Sequence, residues 1–419
     1  MLSESLTRSI TLKLYFLYLL GVASNVFYNI FDDPRASPLS EGAVHFALST
    51  GLLVWTLVLV YPVYESIRKL LMSHKLLLGI YLFAAASCCW APNPLSSVRE
   101  FFLLLTLLIA AAYVSLVFSP EEIVDLTAKV SAIFALASIV GQFMLQPIFD
   151  TLSQGWVGLY GHKNLFGVGL AIGIASLLAS RSKWGLSRWC MLLLFSVLLI
   201  LAQSAAAILI VATVVGVYTL TKLPRFARLS LLIAAAFATL LVVWTSKVDN
   251  VMGQFFGVIG RDTTLTGRDE IWHFVWGKIM DRPLLGYGFV GFWAPHDDNI
   301  IANLGWNPGH SHNGLLDFIL IFGIVGLFVL LAVLWDGVKC GLRVRVSSGS
   351  LAGTWLLMVI WLEFLNNLTE ADYLGPTLLW TLFVMAYFTC SVVESRRISV
   401  RGEDTERVVF LDSNLLHGG

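Results

Sequence analysis

The sequence predicts an all-α polytopic membrane protein with about twelve transmembrane helices and one large outward-facing loop that contains an amphipathic helix. Composition is the first reason. Hydrophobic residues make up 57% of the 419 residues and charged residues only 13%, about half the charged fraction of a soluble domain. The mean hydropathy of +0.79 agrees with this. The second reason is that apolar stretches of membrane-spanning length recur along the chain.

Each predicted span is a run of roughly 20 mostly apolar residues, which crosses about 30 Å of hydrocarbon. The predicted spans are 12–30, 42–62, 76–91, 98–118, 124–145, 164–180, 189–203, 205–221, 229–246, 313–334, 351–368 and 373–393. The seventh and eighth touch at Gln203 and Ser204, so one bent helix is the alternative there.

Lysine and arginine residues are concentrated in alternate loops and in the C-terminal tail. They are Arg68, Lys69, Lys75, Arg181, Lys183, Arg188, Lys222, Arg225, Arg228, Lys339, Arg343, Arg345, Arg396, Arg397 and Arg401. The positive-inside rule therefore predicts that both termini are cytoplasmic and that the 247–312 loop is outside. We expect one transmembrane domain over residues 1–393 and a cytoplasmic tail over 394–419. The net charge of zero argues against a nucleic-acid partner.

The outer loop has predicted structure of its own. Thr266 resembles an N-cap, and Ile271, Val275 and Ile279 follow at helical spacing, which predicts an amphipathic helix of three to four turns. Pro283 ends this helix, and the glycines of the next stretch, LLGYGFVGF, indicate turns.

A polar segment at the end of this loop runs directly into an apolar helix pattern. It carries His310, His312 and Asn313, with Asp317 one turn deeper. A histidine at the outer membrane face suits a general base, and Asn313 suits ring orientation or substrate binding. The alternative is an interfacial histidine that is hydrogen-bonded to water.

Two further groups suit an anionic ligand. Arg268 lies at the start of the amphipathic helix, where its guanidinium could bind a phosphate through two hydrogen bonds. The alternative is that Arg268 is only a solvated charge. His162, Lys163 and Asn164 lie at the outer mouth of the sixth span, where a snorkelling lysine is the alternative.

Three other features complete the candidate set. Glu370, in a short outer loop, suits positioning a histidine or a sugar hydroxyl, and a solvated acid is the alternative. Glu363 lies inside the eleventh span and should face protein or water. Gly323 and Gly326 indicate close helix packing. The motifs of phosphate-binding loops, dinucleotide folds, zinc proteases and cysteine zinc sites do not occur, so we expect no metal and no other cofactor.

Several motifs resemble the O-antigen ligase and Wzy-type polysaccharide polymerase superfamily, in particular its exopolysaccharide polymerase branch. They are WAPNPLSSVRE, GLYGHKNLFG, TGRDEIW, PLLGYGF, HNGLLDFILIFGIVGL and NNLTE, in this order. The resemblance covers most of residues 80–385, with the signature region at about 160–370.

This resemblance implies an inverting, metal-independent glycosyltransferase at the outer face of the bacterial inner membrane. Such proteins pass a glycan from undecaprenyl diphosphate to an acceptor hydroxyl. His312 would then be the base that activates the acceptor, and Arg268 would hold the diphosphate and neutralise the leaving group. Lys163, with His162 and Asn164, would form a second anion site, and Glu370 matches the acidic position after the eleventh span.

One departure from the family pattern concerns the end of the seventh span. Relatives have a serine followed by a basic or hydroxyl residue, whereas residues 203–207 read QSAAA. A phosphate or sugar contact is therefore missing there, and Arg261 or Arg99 is a candidate substitute.

Three functions follow as hypotheses. The first is a polymerase that joins lipid-linked repeat units into exopolysaccharide, capsule or O-antigen. The second is an O-antigen ligase with lipid A–core as the acceptor. The third is a transporter or flippase of lipid-linked sugars, which predicts broken helices near the bilayer midplane. The expected partners are an undecaprenyl-diphosphate-linked oligosaccharide, an acceptor glycan, membrane lipid and a chain-length regulator.

Overall fold

A computed structural model describes residues 2–31, 38–144, 155–222, 268–293, 298–306 and 308–401, and no strand occurs in these ranges. The helices are α1 (Leu2–Ala23), α2 (Val26–Phe31), α3 (Pro38–Val60), α4 (Tyr64–Ser73), α5 (Lys75–Ser87), α6 (Pro94–Val117), α7 (Pro120–Met144), α8 (Lys163–Ala179), α9 (Leu186–Ala202), α10 (Ala205–Lys222), α11 (Arg268–Asp281), α12 (Asp298–Leu304), α13 (Gly314–Ser348), α14 (Leu351–Asn366) and α15 (Leu378–Arg401). The predicted all-helical class is confirmed.

Every predicted span that falls on the described residues coincides with a helix, and the span at 229–246 lies outside them. Within the described ranges, five candidate spans are long and apolar enough to cross a membrane: Ala43–Ser73, Pro94–Val117, Pro120–Gly141, Gly314–Ser348 and Leu378–Ile398. Several other apolar helices, including α8 and α14, have fewer than 18 residues. The count of twelve crossings and the outward side of the large loop therefore stay predictions.

The first and the last predicted spans are among those whose boundaries differ from the observed helices. The first predicted span is divided between α1 and α2, because Asn25 has a left-handed φ of 59°. The last helix, α15, begins at Leu378 and continues to Arg401, through the first residues of the predicted tail. Residues 402–419 lie outside the described part of the chain.

The helix α13 organises the packing around the site. It lies against α5, α11, α14 and α15, while α15 also packs on α6, and α8 packs against α7, α9, α10 and α14. The first residue of α8 and the first residue of α13 are thereby brought to the same end of the bundle. The loop between α14 and α15 reaches that end as well.

A break at Gly323 divides α13, where this glycine has φ 65° and ψ −171°. The loop after α11 runs along the break and forms four backbone hydrogen bonds with it. Tyr287 and Gly288 donate to the carbonyls of Leu320 and Ile321, and Ile324 and Val325 donate to the carbonyls of Pro283 and Leu284. A Cβ at Gly323 would lie 2.1 Å from the Leu284 carbonyl oxygen. The predicted close packing at Gly323 is therefore against a loop, not against a helix.

The amphipathic helix predicted in the outer loop is confirmed as α11. Ile271, Val275 and Ile279 are buried in a small separate core, together with Phe292 and Leu320. This core joins α11 to the first segment of α13. The predicted N-cap Thr266 lies outside the described residues. This small core fixes α11 and α13 relative to one another. It therefore also fixes Arg268, the first residue of α11, relative to the histidines that lie just before α13.

Candidate active site

Two histidines and one carboxylate form the centre of the candidate site. Nε2 of His310 lies 3.5 Å from Oε2 of Glu370, and Nδ1 of His312 lies 3.8 Å from the same oxygen. The two imidazole rings lie edge to face with their centroids 4.1 Å apart. The carboxylate is buried, and both histidines are partly exposed. This arrangement presents imidazole nitrogens to a ligand and holds them against a shared anion.

Glu370 is ordered by a hydrogen bond from α8, which Ser204 supports in turn. Nδ2 of Asn164 donates to Oε1 of Glu370 at 2.6 Å, and the hydroxyl of Ser204 donates to Oδ1 of Asn164 at 2.9 Å. Burial alone would raise the pKa of Glu370, but the nearby His312, His310 and Asn164 outweigh burial and lower this pKa. Glu370 is therefore an anion at neutral pH.

His310 is held as a neutral ring. The backbone N–H of His312 donates to Nδ1 of His310 at 3.1 Å. The proton of the neutral ring must then lie on Nε2, the atom that faces Glu370. Burial and the neighbouring His312 lower the pKa of His310 to about 4, although Glu370 acts in the opposite direction. His310 is thus a hydrogen-bond donor and a weak base.

His312 has a backbone conformation that is uncommon for a residue with a side chain, with φ 54°. Its Nδ1 is buried and makes no hydrogen bond within the described residues, because Glu370 at 3.8 Å is beyond hydrogen-bond distance. A small closure would give an imidazole whose Nδ1–H is oriented by a carboxylate, which leaves the lone pair on Nε2. A general base with an orienting carboxylate would need this closed arrangement.

The loop that carries the histidines is anchored to the helices below it. Oδ1 of Asp317 accepts from the backbone N–H of Ser311 at 3.0 Å and from Nε1 of Trp293 at 3.1 Å. Nε1 of Trp272, on α11, donates to the carbonyl of Ser311 at 2.8 Å. Asp317 therefore shapes the loop from one turn inside α13.

Asn313 is the N-cap of α13. Its Oδ1 accepts from the backbone N–H of Leu316 at 3.1 Å, as a capping asparagine does. The next residue, Gly314, donates from its backbone to the carbonyl of Asn367 at 2.8 Å, and a Cβ at this glycine would lie 1.9 Å from Oδ1 of Asn367. The histidine loop and the Glu370 loop are thereby joined.

The other predicted site residues differ in how closely they approach the histidines. The charges of Arg268, the first residue of α11, and of His162 are near enough to His310 to contribute to its lowered pKa. Lys163 is the first residue of α8, beside Asn164. Arg99 pairs with its neighbour Glu100 at 3.2 Å. Arg261 lies outside the described residues.

A buried polar layer lies directly beneath Glu370. Asn366 donates from Nδ2 to the carboxylate of Asp372, and Oδ1 of Asn367 accepts from the backbone N–H of Asp372 at 2.9 Å. Burial and the negative charge of Glu370 raise the pKa of Asp372 to about 7. Nδ2 of Asn367 donates to the Glu363 carbonyl at 2.8 Å, and Glu363 is fully buried. Glu363 therefore faces protein, as predicted.

The same centre has the donor set of a metal site. Ligand atoms of His310, His312 and Glu370 all lie within 4.8 Å of one another. Two imidazoles and a carboxylate suit zinc and other divalent first-row metals. Among the described residues, this is the group whose geometry could hold a metal ion. No motif in the sequence indicates it.

Two residues of the centre were underestimated from the sequence. His310 has no role of its own in the assignment from the sequence, yet its ring nitrogen lies nearer to Glu370 than that of His312. Ser204 belongs to the stretch that departs from the family pattern, yet it extends the hydrogen-bond chain to Asn164. Its place at the start of α10, opposite the start of α8, was the available signal.

These features define a multi-pass helical membrane protein with a histidine–carboxylate centre at a loop junction. Comparison with known proteins shows which proteins the chain is similar to. A family model described as O-antigen ligase matches residues 189–331. The exopolysaccharide production protein ExoQ of Rhizobium meliloti (strain 1021) is 26% identical over 334 residues, which are 74% of this chain and 75% of that protein.

A further relative is a Rickettsia prowazekii (strain Madrid E) protein described as a candidate polysaccharide ligase. It is 37% identical over 84 residues, which are 19% of this chain and 21% of that protein. These matches confirm the resemblance of the chain to O-antigen ligases and to an exopolysaccharide production protein. Together with the apolar helices, they indicate a multi-pass bacterial membrane protein.

Proposed function

We propose that the protein transfers a glycan from undecaprenyl diphosphate to the hydroxyl of an acceptor sugar at the periplasmic face of the inner membrane. The observation that carries this proposal is the pairing of His312 and His310 with the buried anion of Glu370. Glycosyl transfer from a lipid diphosphate needs a base for the acceptor and positive charge for the leaving group. The centre offers the first, and Arg268 offers the second.

The proposed step is a single displacement at the anomeric carbon of the donor. The acceptor oxygen forms a bond to this carbon as the bond from the carbon to the diphosphate oxygen breaks. Nε2 of His312 takes the acceptor proton, and the lipid diphosphate leaves with the bonding electron pair. The resulting imidazolium is stabilised by Glu370, whose carboxylate faces Nδ1. Attack from the face opposite the leaving group inverts the anomeric centre.

His312 is the better candidate for the base than His310. The Nδ1 atom of His310 already accepts a backbone hydrogen bond, and the pKa of this histidine is lowered to about 4. A base with such a pKa gains little from taking a hydroxyl proton near neutral pH. His310 instead donates toward Glu370 and keeps the carboxylate ionised.

Arg268 is proposed to hold the diphosphate. It begins α11, and the dipole at the N-terminus of a helix favours an anion. Arg268→Lys keeps the charge and loses the two-pronged hydrogen bonding, so we expect turnover to fall about tenfold or more. A Lys278→Arg variant, near the other end of α11, is the control. Full activity of Arg268→Lys would contradict this assignment.

Lys163, His162 and Asn313 are proposed to line the donor or acceptor subsites, and Arg261 is proposed as a further anion contact. The proposed architecture is one transmembrane domain over 1–393, with its large periplasmic loop at 247–312 and a cytoplasmic tail at 394–419. A polymerase is favoured over a ligase, because the match to the exopolysaccharide production protein extends over 74% of the chain.

The transporter alternative predicts a broken helix, and α13 is broken at Gly323. In transporters, the backbone groups freed by such a break bind the substrate or ion. Here four of these groups bond to the loop after α11 instead. The break therefore serves to dock that loop, and this supports catalysis over transport.

The experiment uses purified full chain in liposomes with an undecaprenyl-diphosphate-linked repeat unit. A polymerase should produce a ladder of longer lipid-linked glycans, and a ligase should act only after lipid A–core is added. In cells, deletion of the gene for a polymerase should abolish a secreted polymer. Deletion of the gene for a ligase should reduce lipopolysaccharide to its core. Movement of the intact donor across the bilayer without any new glycosidic bond would contradict both.

A further inference from the structure

A second polar cavity lies at the opposite end of the bundle from the histidine centre. It has a volume of about 690 Å³ and is lined by the C-terminal end of α8, the loop to α9, and parts of α9, α10, α13 and α14. The 17 residues of α8 separate this cavity from Asn164, which is about 25 Å at 1.5 Å per residue. The two sites therefore cannot share one small ligand.

Four cationic side chains line this cavity: Arg181, Lys183, Arg188 and Arg345. They come from the loop before α9, from α9 itself and from α13. A cluster of this kind repels itself unless an anion is present. The cavity thus has the charge of an anion site that is built from several separate segments.

Nearby acidic groups compensate for only part of this charge. Glu121 lies 3.9 Å from Arg181, and both side chains are exposed, so the pair is weak. The carboxylate of Asp125 accepts hydrogen bonds from Ser180 and Ser182, which orders the loop. Neither carboxylate is among the lining residues of the cavity.

Two of the arginines also brace the loop. Arg188 donates to the carbonyls of Ser180 and Ser182, and Arg181 donates to the carbonyl of Gly349. These bonds hold the guanidinium groups in place, so an anion would meet an arrangement that is already formed. Lys183 and Arg345 are therefore the better pair for substitution, because their removal leaves these loop contacts intact.

Apolar surface continues directly from the cavity. Trp189 lines it and is 69% exposed, and it begins a stripe of exposed apolar residues along α9 that includes Leu193 and Ile200. On α13, Leu342 and Val346 are exposed on either side of Arg345. Such apolar faces can pack against acyl chains, whereas a free phosphate ion makes no favourable contact with them.

We propose that this cavity binds the head group of an anionic phospholipid, with the phosphate among the four cations and the acyl chains along α9 and α13. Basic cavities between transmembrane helices bind such head groups, and each cation near the membrane surface contributes about a fivefold increase in affinity. The predicted cytoplasmic side of these loops places the lipid in the inner leaflet. The proposal does not depend on which glycan the other site transfers.

The test measures binding to the purified full chain in nonionic detergent by native mass spectrometry. Three probes are compared: short-chain phosphatidylglycerol, short-chain phosphatidylcholine and inorganic phosphate. We expect phosphatidylglycerol to bind at least tenfold more tightly than the other two. Equal binding of the two lipids would overturn the proposal, and equal binding of inorganic phosphate would make the cavity a site for free anions instead.

The double variant Lys183→Gln/Arg345→Gln should bind phosphatidylglycerol roughly 25-fold more weakly. The control Arg68→Gln/Lys69→Gln removes two exposed cations of α4 that lie outside the cavity, and it should bind as the wild type does. Equal losses in both variants would overturn the proposal. If the first variant does not fold, the affinity of the wild type for phosphatidylglycerol is measured at two salt concentrations instead. Salt should weaken binding to a charged site, so an affinity that does not change with salt would contradict the proposal.

Discussion

Asn164 donates a 2.6 Å hydrogen bond to Glu370, which lies 206 positions later in the chain. This bond joins the start of α8 to the loop between α14 and α15, and it leaves Oε2 of Glu370 facing both histidines. A buried carboxylate at such a place is stable as an anion only with donors around it. Asn164 is therefore the residue through which α8 controls the charge of the histidine centre.

Asn164→Asp should impair transfer through the charge of Glu370. The new carboxylate repels Glu370 and raises its pKa, so Glu370 is protonated at a higher pH and no longer orients His312. We expect kcat/KM to fall about tenfold or more at pH 6, with a smaller loss at pH 8. Asn164→Ala removes the hydrogen bond without adding charge and is the matched control. A pH profile of Asn164→Asp identical to that of the wild type would contradict this role.

His310 should make the protein less stable as the pH falls from about 6.5 to about 4. Its pKa is lowered from 6.5 to about 4. Between these values His310 is protonated in the unfolded chain but not in the folded protein, so a falling pH favours unfolding. Asp372 acts in the opposite sense, because its pKa is raised to about 7.

The measurement is therefore a comparison of Tm for the wild type and His310→Gln, in detergent, across this pH range. The wild type should lose roughly 3 kcal/mol more stability than the variant by pH 4. Parallel Tm curves for the two proteins would show that His310 is not held neutral.

Gly323→Ala should destabilise the protein more than the same substitution at Gly349, the C-cap of α13, both because of its neighbours and because its ψ of −171° suits glycine alone. Gly349 also has a left-handed φ, but a Cβ there would meet nothing within 4 Å, whereas a Cβ at Gly323 meets the Leu284 carbonyl. We expect about 1 kcal/mol for Gly349→Ala and about 3 kcal/mol for Gly323→Ala. The readouts are Tm and protease cleavage near Leu284. Equal effects of the two substitutions would mean that the loop is not docked in the break.

Zinc should inhibit the enzyme, and a chelator should leave it active. The donors of His310, His312 and Glu370 can hold zinc. A metal bound through Nδ1 of His312, the atom that faces Glu370, would force the ring proton onto Nε2 and remove the lone pair that the proposed base needs. His310→Gln should weaken inhibition about tenfold or more, as loss of a ligand does. Activity that disappears with chelator and returns with zinc would instead indicate a metal-dependent transferase.

The sequence predicted the helices well because their signal is local. Runs of apolar residues and the spacing of Ile271, Val275 and Ile279 are read directly from the chain, and these residues are buried as expected. The break at Gly323 was missed, since it depends on hydrogen bonds from a loop that is distant in the sequence. In the sequence, a glycine within an apolar stretch looks the same whether it lies at a contact between helices or at a break in one helix.

The site could be predicted only in part for a similar reason. His312 and Glu370 stand out as polar residues beside membrane helices, and the resemblance gave them roles. The tautomer of His310 depends on a backbone N–H two residues away, and the part played by Ser204 depends on the packing of α8 against α10. Neither relationship has a sequence pattern of its own.

The most direct test of the proposed mechanism compares His312→Gln with His310→Gln in the liposome assay with a lipid-diphosphate-linked repeat unit. Both substitutions keep a polar side chain of similar reach, and both should leave the protein in the membrane. We predict that His312→Gln lowers the rate of glycan transfer about a thousandfold, the contribution of a general base, and that His310→Gln lowers it far less. Unchanged product length and yield from His312→Gln would contradict the proposed mechanism.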